Sequence, residues 1–193
     1  MQTDILLVFS YSYLLGSIPF GLIITKIFLK KDIRNLGSGN IGTTNVLRTG
    51  KKSLAIITLL LDGSKGYVSV IISQYYFNDL IFLSCLICFI AHIFPVWLKF
   101  RGGKGVAVYL GIILSLQYPL GIVFGVSWVL LAFIFRYSSL SSILSSLIVL
   151  LYSIIFNNYS MSFFLFTVFI IIIFTHRENI SRLKNSEETK IKI

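Results

Sequence analysis

The chain has 193 residues, of which 56% are hydrophobic and 12% are charged, and its mean hydropathy is +0.88. A water-soluble domain carries about twice this share of charged residues, so the composition excludes that class. The formal net charge is +10. We attribute it to membrane orientation and to attraction for anionic lipids, and expect no nucleic-acid partner. Basic links between long apolar runs are typical of a helical protein that crosses a membrane several times.

Seven apolar segments follow one another along the chain. The run from 105 to 135 would be about 46 Å long as one helix, which exceeds a hydrocarbon core of about 30 Å, and Pro119 offers a place to divide it. The first run lacks the positive region of a cleavable signal peptide, so we expect it to be retained as a span. The segments lie near 4–29, 53–75, 79–98, 105–117, 119–135, 139–157 and 160–176.

Charge sets the orientation of these segments. All of the 17 Lys and Arg except Lys26 and Lys65 fall in or beside four links: 30–52, 99–104, 136–138 and the tail after 176. Because basic links stay on the cytoplasmic side, we expect an all-α integral membrane protein with the N-terminus outside and the C-terminus cytoplasmic. The prediction is a seven-transmembrane-helix bundle with short or broken helices. It forms a single domain over 1–180, followed by a mobile basic tail over 181–193.

The first inner link contains a glycine-rich stretch, "GSGNIG" (37–42). It has the spacing of a dinucleotide-binding fingerprint, but no strand precedes it, so a Rossmann fold is rejected. "IGTTNVLR" is predicted to form a short helix, with Asn40 near its start and Gly50 just after its end. Free amides and the helix dipole at such a start favour an anion, and Arg48 can make a forked contact to a phosphate. Further donors are Ser38, Thr43 and Thr44. The alternative is a loop that only joins two spans.

The second inner link contains "RGGKG" (101–105), which places Lys104 between glycines. An ammonium there can reach a phosphate without a bulky neighbour. The stretch is not a phosphate-binding loop of the nucleotide-binding type, because no Ser or Thr follows the lysine. The alternative is a basic anchor at a helix end.

Two features fall inside apolar runs. Asp62 and Lys65 are three residues apart on one helix face, and charges at membrane depth are usually paired. We therefore favour a structural ion pair, with a substrate contact as the alternative. Cys85 and Cys88 lie at helical spacing from His92, but we favour small buried hydrophobes and a hydrogen-bonded core histidine over a metal site.

The last inner segments carry a further polar group. "THRENI" places His176 and Asn179 on one helix face near the inner surface, and Ser139 follows Arg136 at the same level. No residues suggest a serine-hydrolase triad or a zinc motif, and the His-x4-Asp dyad of many acyltransferases is absent. Catalysis by this chain would therefore depend on positioning and on charge neutralisation.

Six motifs together resemble one family, the bacterial acyl-phosphate:glycerol-3-phosphate acyltransferases. They extend in order over nearly the whole chain, which makes the set more specific than any one of them. They are "GSIPFG" (16–21), "LGSGNIGTTNVLR" (36–48), "LDGSKG" (61–66), "HIFPVWLKFRGGKGVA" (92–107), "RYSSLSSI" (136–143) and "HRENI" (176–180).

The resemblance implies transfer of a fatty acyl group from acyl phosphate to the 1-hydroxyl of glycerol 3-phosphate, without a cofactor or a metal. The products are lysophosphatidic acid and phosphate, in phospholipid biosynthesis. It also implies a multi-pass protein of the bacterial inner or plasma membrane, with the active site facing the cytoplasm. The expected partners are the two substrates, membrane lipid and the enzyme that makes acyl phosphate.

The resemblance also assigns residues. The group expected to bind acyl phosphate is Gly37, Ser38, Gly39, Asn40, Gly42 and Thr44. The group expected to bind glycerol 3-phosphate is Arg48, Lys104, Ser139, His176 and Asn179. The catalytic set is Lys104, Arg48, Ser38, His176 and Asn179, and the leaving phosphate is expected to help take the hydroxyl proton.

Two other classes of function remain as alternatives. A transporter for an organic phosphate would use the glycine loops as its anion site, but no inverted repeat is visible and the polar residues crowd one face. If the protein were a lipid-binding structural subunit, Arg48 and Lys104 would have no evident function.

Overall fold

The computed structural model describes residues 1–156 and 159–191, and all regular secondary structure in these ranges is helical. The chain divides into two compact units, Met1–Leu116 and Gln117–Ile193. The first unit contains α1 (Gln2–Ser17), α2 (Phe20–Leu29), α3 (Thr43–Leu47), α4 (Lys52–Tyr76), α5 (Ile81–Ile93) and α6 (Val106–Leu116). The second contains α7 (Tyr118–Phe135), α8 (Ser138–Ile155), α9 (Tyr159–Thr175) and α10 (Arg177–Lys184).

The first apolar run was predicted as one span over 4–29. Gln2–Leu29 is long and apolar enough to form one span, but its helix is interrupted between α1 and α2. The residue before a proline avoids the helical region, and Ile18 accordingly adopts extended angles, φ −65° and ψ 118°. Helix α2 then begins directly after Pro19. At the break the Ile18 carbonyl accepts the amide of Phe20 at 3.2 Å, and it is also used by a side chain described below.

Five helical stretches in the described residues are long and apolar enough to cross a membrane, and α9 with α10 makes a sixth if that bent pair is one span. Helix α6 has 11 residues, or about 17 Å, which is shorter than a hydrocarbon core of about 30 Å. The structure thus bears out an all-helical membrane protein, whereas the count of seven spans and their orientation stay predictions. The end of the predicted segment 139–157, Asn157, lies outside the described residues.

Glycines bring α4 and α6 together in the first unit. A Cβ on Gly111 would collide with the carbonyl oxygen of Gly63, and a Cβ on Gly66 would collide with that of Val108. Small residues allow membrane helices to approach backbone to backbone, so the short helix α6 is held against α4 along this line.

Hydroxyl groups join α1, α4 and α5. Ser12 lies 2.8 Å and Ser69 lies 2.9 Å from the hydroxyl of Ser84, and Tyr11 lies 2.5 Å from that of Ser73. The four serines are buried. Because lipid offers no hydrogen bonds, such groups must bind one another. Sequence reasoning did not identify this network.

The segment 181–193, which was predicted to be a mobile tail, begins within α10 of the second unit. The chain bends by 59° between α9 and α10, so His176 precedes a separate helix instead of extending the last span. Helix α10 continues to Lys184, and the amide of Ile191 donates to the carbonyl of Arg136 at 2.7 Å. Hydrogen bonds thus hold the tail against the corner between α7 and α8, and only its last two positions lie outside the described residues.

Two glycine-to-alanine variants test the packing of α4 on α6. Gly111→Ala places a Cβ against the backbone of Gly63, which cannot move like a side chain, so we expect a loss of about 1–3 kcal/mol of stability. The control is Gly125→Ala, because a Cβ there meets nothing within 4 Å. The midpoint temperature of thermal unfolding in detergent should fall for Gly111→Ala only. Equal midpoints for both variants would show that the close approach contributes nothing.

Candidate active site

Asn45 organises the glycine-rich stretch. Its side chain is buried and accepts a hydrogen bond from the amide of Ser38 at 3.0 Å. Its Nδ2 group lies within donating distance of three carbonyl oxygens, those of Ile33 at 3.1 Å, Leu36 at 2.9 Å and Asn40 at 2.8 Å. One amide side chain therefore fixes the path of the loop from 33 to 45. Sequence reasoning missed this role, although an Asn inside a short predicted helix is a signal for it.

The short helix of this stretch differs from the prediction. It begins after Gly42 rather than near Asn40, because the side chain of Asn40 accepts the Gly42 amide at 2.8 Å and keeps the chain in a turn. The Gly39 amide donates to Leu36 at 3.0 Å. The amides of Ser38, Gly39 and Gly42 thus already donate within the loop.

A cavity of about 500 Å³ adjoins this stretch. Three cations line it, Lys31, Arg48 and Lys51, and its other walls include Phe28, Leu29, Leu36, Gly37, Asn45 and Thr49. The cavity brings Gly37 and Arg48 together. The other residues assigned to acyl phosphate are not among its lining: Ser38, Gly39, Asn40, Gly42 and Thr44. Cations facing an apolar wall suit an anion that carries a hydrocarbon tail.

Arg34 precedes Gly37 of the cavity lining by three residues, and its charge is already neutralised by an acidic side chain. Its guanidinium contacts the carboxylate of Asp32 at 2.6 Å, and hydrogen bonding from Arg34 lowers the pKa of Asp32 to about 2. Asp32 is therefore charged at any physiological pH. Arg48 is exposed and has no acidic partner among the described residues, so it is the arginine of this stretch whose charge is available to a ligand.

Lys104 extends from a tight turn before α6. The amide of Gly102 donates to Ile93 at 2.9 Å, and that of Gly103 donates to His92 at 3.0 Å. Gly105 has φ +83°, and a Cβ there would collide with the ring of Phe89. The glycines are thus required by the turn itself, and the side chain of Lys104 is half-buried.

Asp62 and Lys65 lie together inside α4. Lys65 Nζ is 2.9 Å from Asp62 Oδ1, and each side chain is 2% exposed. Lys65 also donates to the carbonyl of Ile18 at 2.8 Å and contacts His92 Nδ1 at 2.9 Å. Cys85 and Cys88 are buried free thiols. No group of three or more potential metal ligands occurs in residues 1–156 and 159–191.

In the second unit, Ser139 and Asn179 bind the same carboxylate oxygen. Ser139 Oγ donates to Glu188 Oε1 at 2.8 Å and Asn179 Nδ2 donates to it at 2.6 Å, while Arg182 Nε donates to Oε2 at 2.7 Å. His176 is buried, and its Nδ1 lies 2.8 Å from the carbonyl of Ile172. Ser139 and Asn179, two of the residues assigned to glycerol 3-phosphate, therefore form an oxyanion-binding group with Arg182, and Glu188 of the same chain occupies it.

Glu188 is a residue that sequence reasoning missed. Burial alone would raise the pKa of Glu188, but the hydrogen bonds from Asn179, Arg182 and Ser139 outweigh it and lower the pKa below the usual value. The carboxylate is therefore ionised near neutral pH. Its position in a basic, polar tail gave no periodic signal that would place it beside α8.

Apolar helices of spanning length define a multi-pass integral membrane protein, whose first unit contains a cation-lined cavity and whose second contains an oxyanion-binding group. Known proteins specify the class further. The sequence model of the glycerol-3-phosphate acyltransferase family matches residues 6–186, and the chain belongs to this family. The family acts in phospholipid biosynthesis.

Similar members of this family match this chain over nearly its whole length and over nearly all of their own. A glycerol-3-phosphate acyltransferase of Pelagibacter ubique is 56% identical over 190 residues, which is 98% of this chain and 99% of the relative. That of Bradyrhizobium diazoefficiens is 49% identical over 93% of this chain and 91% of its own. A crystal structure of PlsY, an integral membrane glycerol 3-phosphate acyltransferase in its glycerol 3-phosphate form, is similar at a TM-score of 0.92 with 32% identity, over 98% of this chain and 96% of the other.

The contacts of Glu188 predict how the tail is held. Glu188→Gln removes the charge that Arg182 binds, and a hydrogen bond to a charged group is worth about 1.5–3 kcal/mol. We expect the amide of Ile191, which donates to Arg136, to exchange with deuterium about tenfold faster or more. Glu187→Gln is the control, because Glu187 is exposed. Unchanged exchange in Glu188→Gln would contradict this role.

The same contacts predict a pH dependence. A carboxylate whose pKa is lowered in the folded state stabilises that state fully above its unfolded pKa. Docking of the tail should therefore be constant near neutral pH, and be lost as the pH falls through the lowered pKa of Glu188. Amide exchange of Ile191, corrected for its intrinsic rate, measures this. Protection that instead weakens between pH 6 and 8 would contradict it.

Proposed function

We propose that this protein transfers a fatty acyl group from acyl phosphate to the 1-hydroxyl of glycerol 3-phosphate. The hydroxyl oxygen forms an ester bond with the acyl carbon, the bond from that carbon to the phosphate oxygen breaks, and phosphate leaves. The hydroxyl proton passes to the departing phosphate. The products are lysophosphatidic acid and phosphate. Two similar PlsY structures are described as a glycerol 3-phosphate form and a lysophosphatidic acid form, which supports the acceptor and the product.

The observation that carries the acyl-phosphate part is the cavity beside Gly37. Its cations suit a phosphate, and its apolar residues Phe28, Leu29 and Leu36 suit the beginning of an acyl chain. A thioester of coenzyme A has no phosphate at the reacting carbon, so it would not use these charges in the same way. We assign acyl phosphate to the loop with Gly37, Ser38, Gly39, Asn40, Gly42 and Thr44.

Glycerol 3-phosphate is assigned to two sets of residues. Arg48 and Lys104 supply positive charge, and Ser139, His176 and Asn179 supply hydrogen-bond donors. The support for the second set is its chemistry, because Ser139 and Asn179 donate to a carboxylate oxygen of Glu188 and would donate equally to a phosphate or hydroxyl oxygen. Substrate binding would then require Glu188 to share or yield these donors.

Catalysis in this proposal is electrostatic. Two phosphates repel each other, and negative charge builds on the leaving phosphate as the acyl carbon is attacked. Fixed cations and donors that meet this charge lower the barrier. We assign this task to Arg48, Lys104 and Ser38, with His176 and Asn179 orienting the hydroxyl. The phosphate itself serves as proton acceptor.

We further propose seven spans, with α6 as a short seventh, the N-terminus outside and the C-terminus in the cytoplasm. The distribution of Lys and Arg supports this orientation. It places the glycine-rich links at the inner surface of the bacterial plasma membrane, where a lipid-tailed donor and a water-soluble acceptor can both arrive. The enzyme that makes acyl phosphate is the expected partner.

The direct test uses purified protein with acyl phosphate and glycerol 3-phosphate, and follows phosphate release and lysophosphatidic acid. A parallel reaction contains acyl-CoA of the same chain length. We expect turnover only with acyl phosphate. Turnover with acyl-CoA alone would keep the acyltransferase class and overturn the proposed donor.

Lys104 and Arg48 should be needed for turnover. Lys104→Ala or Arg48→Ala removes a cation that meets the phosphate charge, and we expect kcat/KM to fall by about 100-fold or more. Lys52→Ala is the control, since Lys52 is an exposed cation at the start of α4 without an assigned role. Wild-type turnover by a folded Lys104→Ala protein would refute the site.

A further inference from the structure

The charged residues inside α4 form a cluster with α5 and with the break after α1. We call Asp62, Lys65 and His92, with the carbonyl of Ile18, the intramembrane cluster. All three residues are buried. The reaction proposed above uses none of them, and lone charges at this depth are costly.

The Lys65 ammonium has three close partners, one of which is an ion pair. Lys65 Nζ lies 2.8 Å from the Ile18 oxygen, 2.9 Å from Asp62 Oδ1 and 2.9 Å from His92 Nδ1. An ammonium has three hydrogens and can only donate. His92 Nδ1 therefore accepts, and the neutral ring carries its proton on Nε2. This fixes both the tautomer and the orientation of the histidine ring.

His92 in turn contacts the turn that carries Lys104. Its carbonyl accepts the amide of Gly103 at 3.0 Å, and a Cβ on Gly103 would collide with Nε2 of its ring. The main chain and the ring of His92 thus both lie against Gly103. Lys104 is the next residue, so a rotation of the ring displaces the backbone from which Lys104 extends.

We propose that Lys65, held by Asp62 and the Ile18 carbonyl, is a positioning residue that fixes His92 and, through it, the turn that carries Lys104. This deepens the proposed function and depends on the role of Lys104 in it. Stability alone explains the cluster poorly, because a buried ion pair can often be replaced by apolar residues at no cost. Apolar residues would hold α4 in place, but would not orient the ring.

Two substitutions of His92 separate orientation from volume. His92→Phe keeps a ring against Gly103 but removes the acceptor of Lys65. His92→Asn loses the ring, but its Oδ1 stands where Nδ1 stood and accepts again. Asp62→Asn combined with Lys65→Met removes both charges without leaving either unpaired, which covers the case in which a single variant fails to fold. Ser64→Ala is the control, because Ser64 is exposed on the same helix.

Three measurements are made on each purified full-length variant. Mass spectrometry gives the rate at which an amine-directed acylating reagent modifies Lys104. Steady-state assays with acyl phosphate and glycerol 3-phosphate give kcat and KM. Thermal unfolding reports folding, and a merely structural role for the cluster would change this measurement alone.

For His92→Phe and for the double variant, we expect the modification rate of Lys104 to change about threefold or more. We also expect kcat/KM to fall by roughly 10- to 100-fold, as for a misplaced catalytic group. In His92→Asn, the modification rate of Lys104 and kcat/KM should both lie closer to the wild-type values than they do in His92→Phe. Ser64→Ala should match the wild type. Unfolding temperatures of the double variant should stay near that of the wild type.

The outcomes distinguish the two proposals. Unchanged modification of Lys104 in folded His92→Phe and double variants overturns the positioning role, whatever the activity. Equal losses in His92→Asn and His92→Phe also overturn it, because the acceptor at Nδ1 would not matter. Altered modification with wild-type turnover upholds the positioning of Lys104 and refutes its part in the proposed reaction.

Discussion

Polar groups that are buried among membrane-spanning helices have no water to bind, so each must find its partner within the protein. This constraint explains the least expected features of the first unit. Lys65 donates to the carbonyl of Ile18, contacts His92 Nδ1 and forms an ion pair with Asp62, and the buried serines of α1, α4 and α5 bind one another. The break after α1 follows the same rule, since Lys65 donates to the carbonyl of Ile18, the residue before Pro19. A helix break that looks like a defect in the sequence therefore supplies an acceptor for a buried charge.

The same constraint shapes the parts that face charged ligands. In the first unit, Arg34 is neutralised by Asp32, whereas Lys31, Arg48 and Lys51 line a cavity beside an apolar wall. In the second unit, Ser139 and Asn179 donate to Glu188, a carboxylate that occupies donors suited to a phosphate oxygen. Cations and fixed donors are what the described residues supply, and these suit a reaction in which the leaving group is itself an anion and a base.

Sequence patterns predicted the apolar helices well, because hydrophobic length is the main determinant of a membrane span. They also predicted that Asp62 and Lys65 share a face, and the structure finds them 2.9 Å apart. Three features of the structure were not predicted from the sequence. The break at Pro19 lies inside a continuous apolar run, the loop around Asn45 depends on one side chain that binds four backbone groups, and the docking of Glu188 joins residues 49 positions apart. Each depends on contacts between particular atoms, which periodicity does not encode.

The central claim is that the hydroxyl of glycerol 3-phosphate attacks the acyl carbon and that phosphate departs from it. An isotope experiment tests this directly: glycerol 3-phosphate labelled with oxygen-18 at the 1-hydroxyl is converted with acyl phosphate, and both products are weighed by mass spectrometry. Attack at the acyl carbon keeps the heavy oxygen in the ester of lysophosphatidic acid and leaves the released phosphate unlabelled. Heavy oxygen in a phosphoryl product, or an ester without it, would mean that a different bond is made and that the proposed role of the cations is wrong.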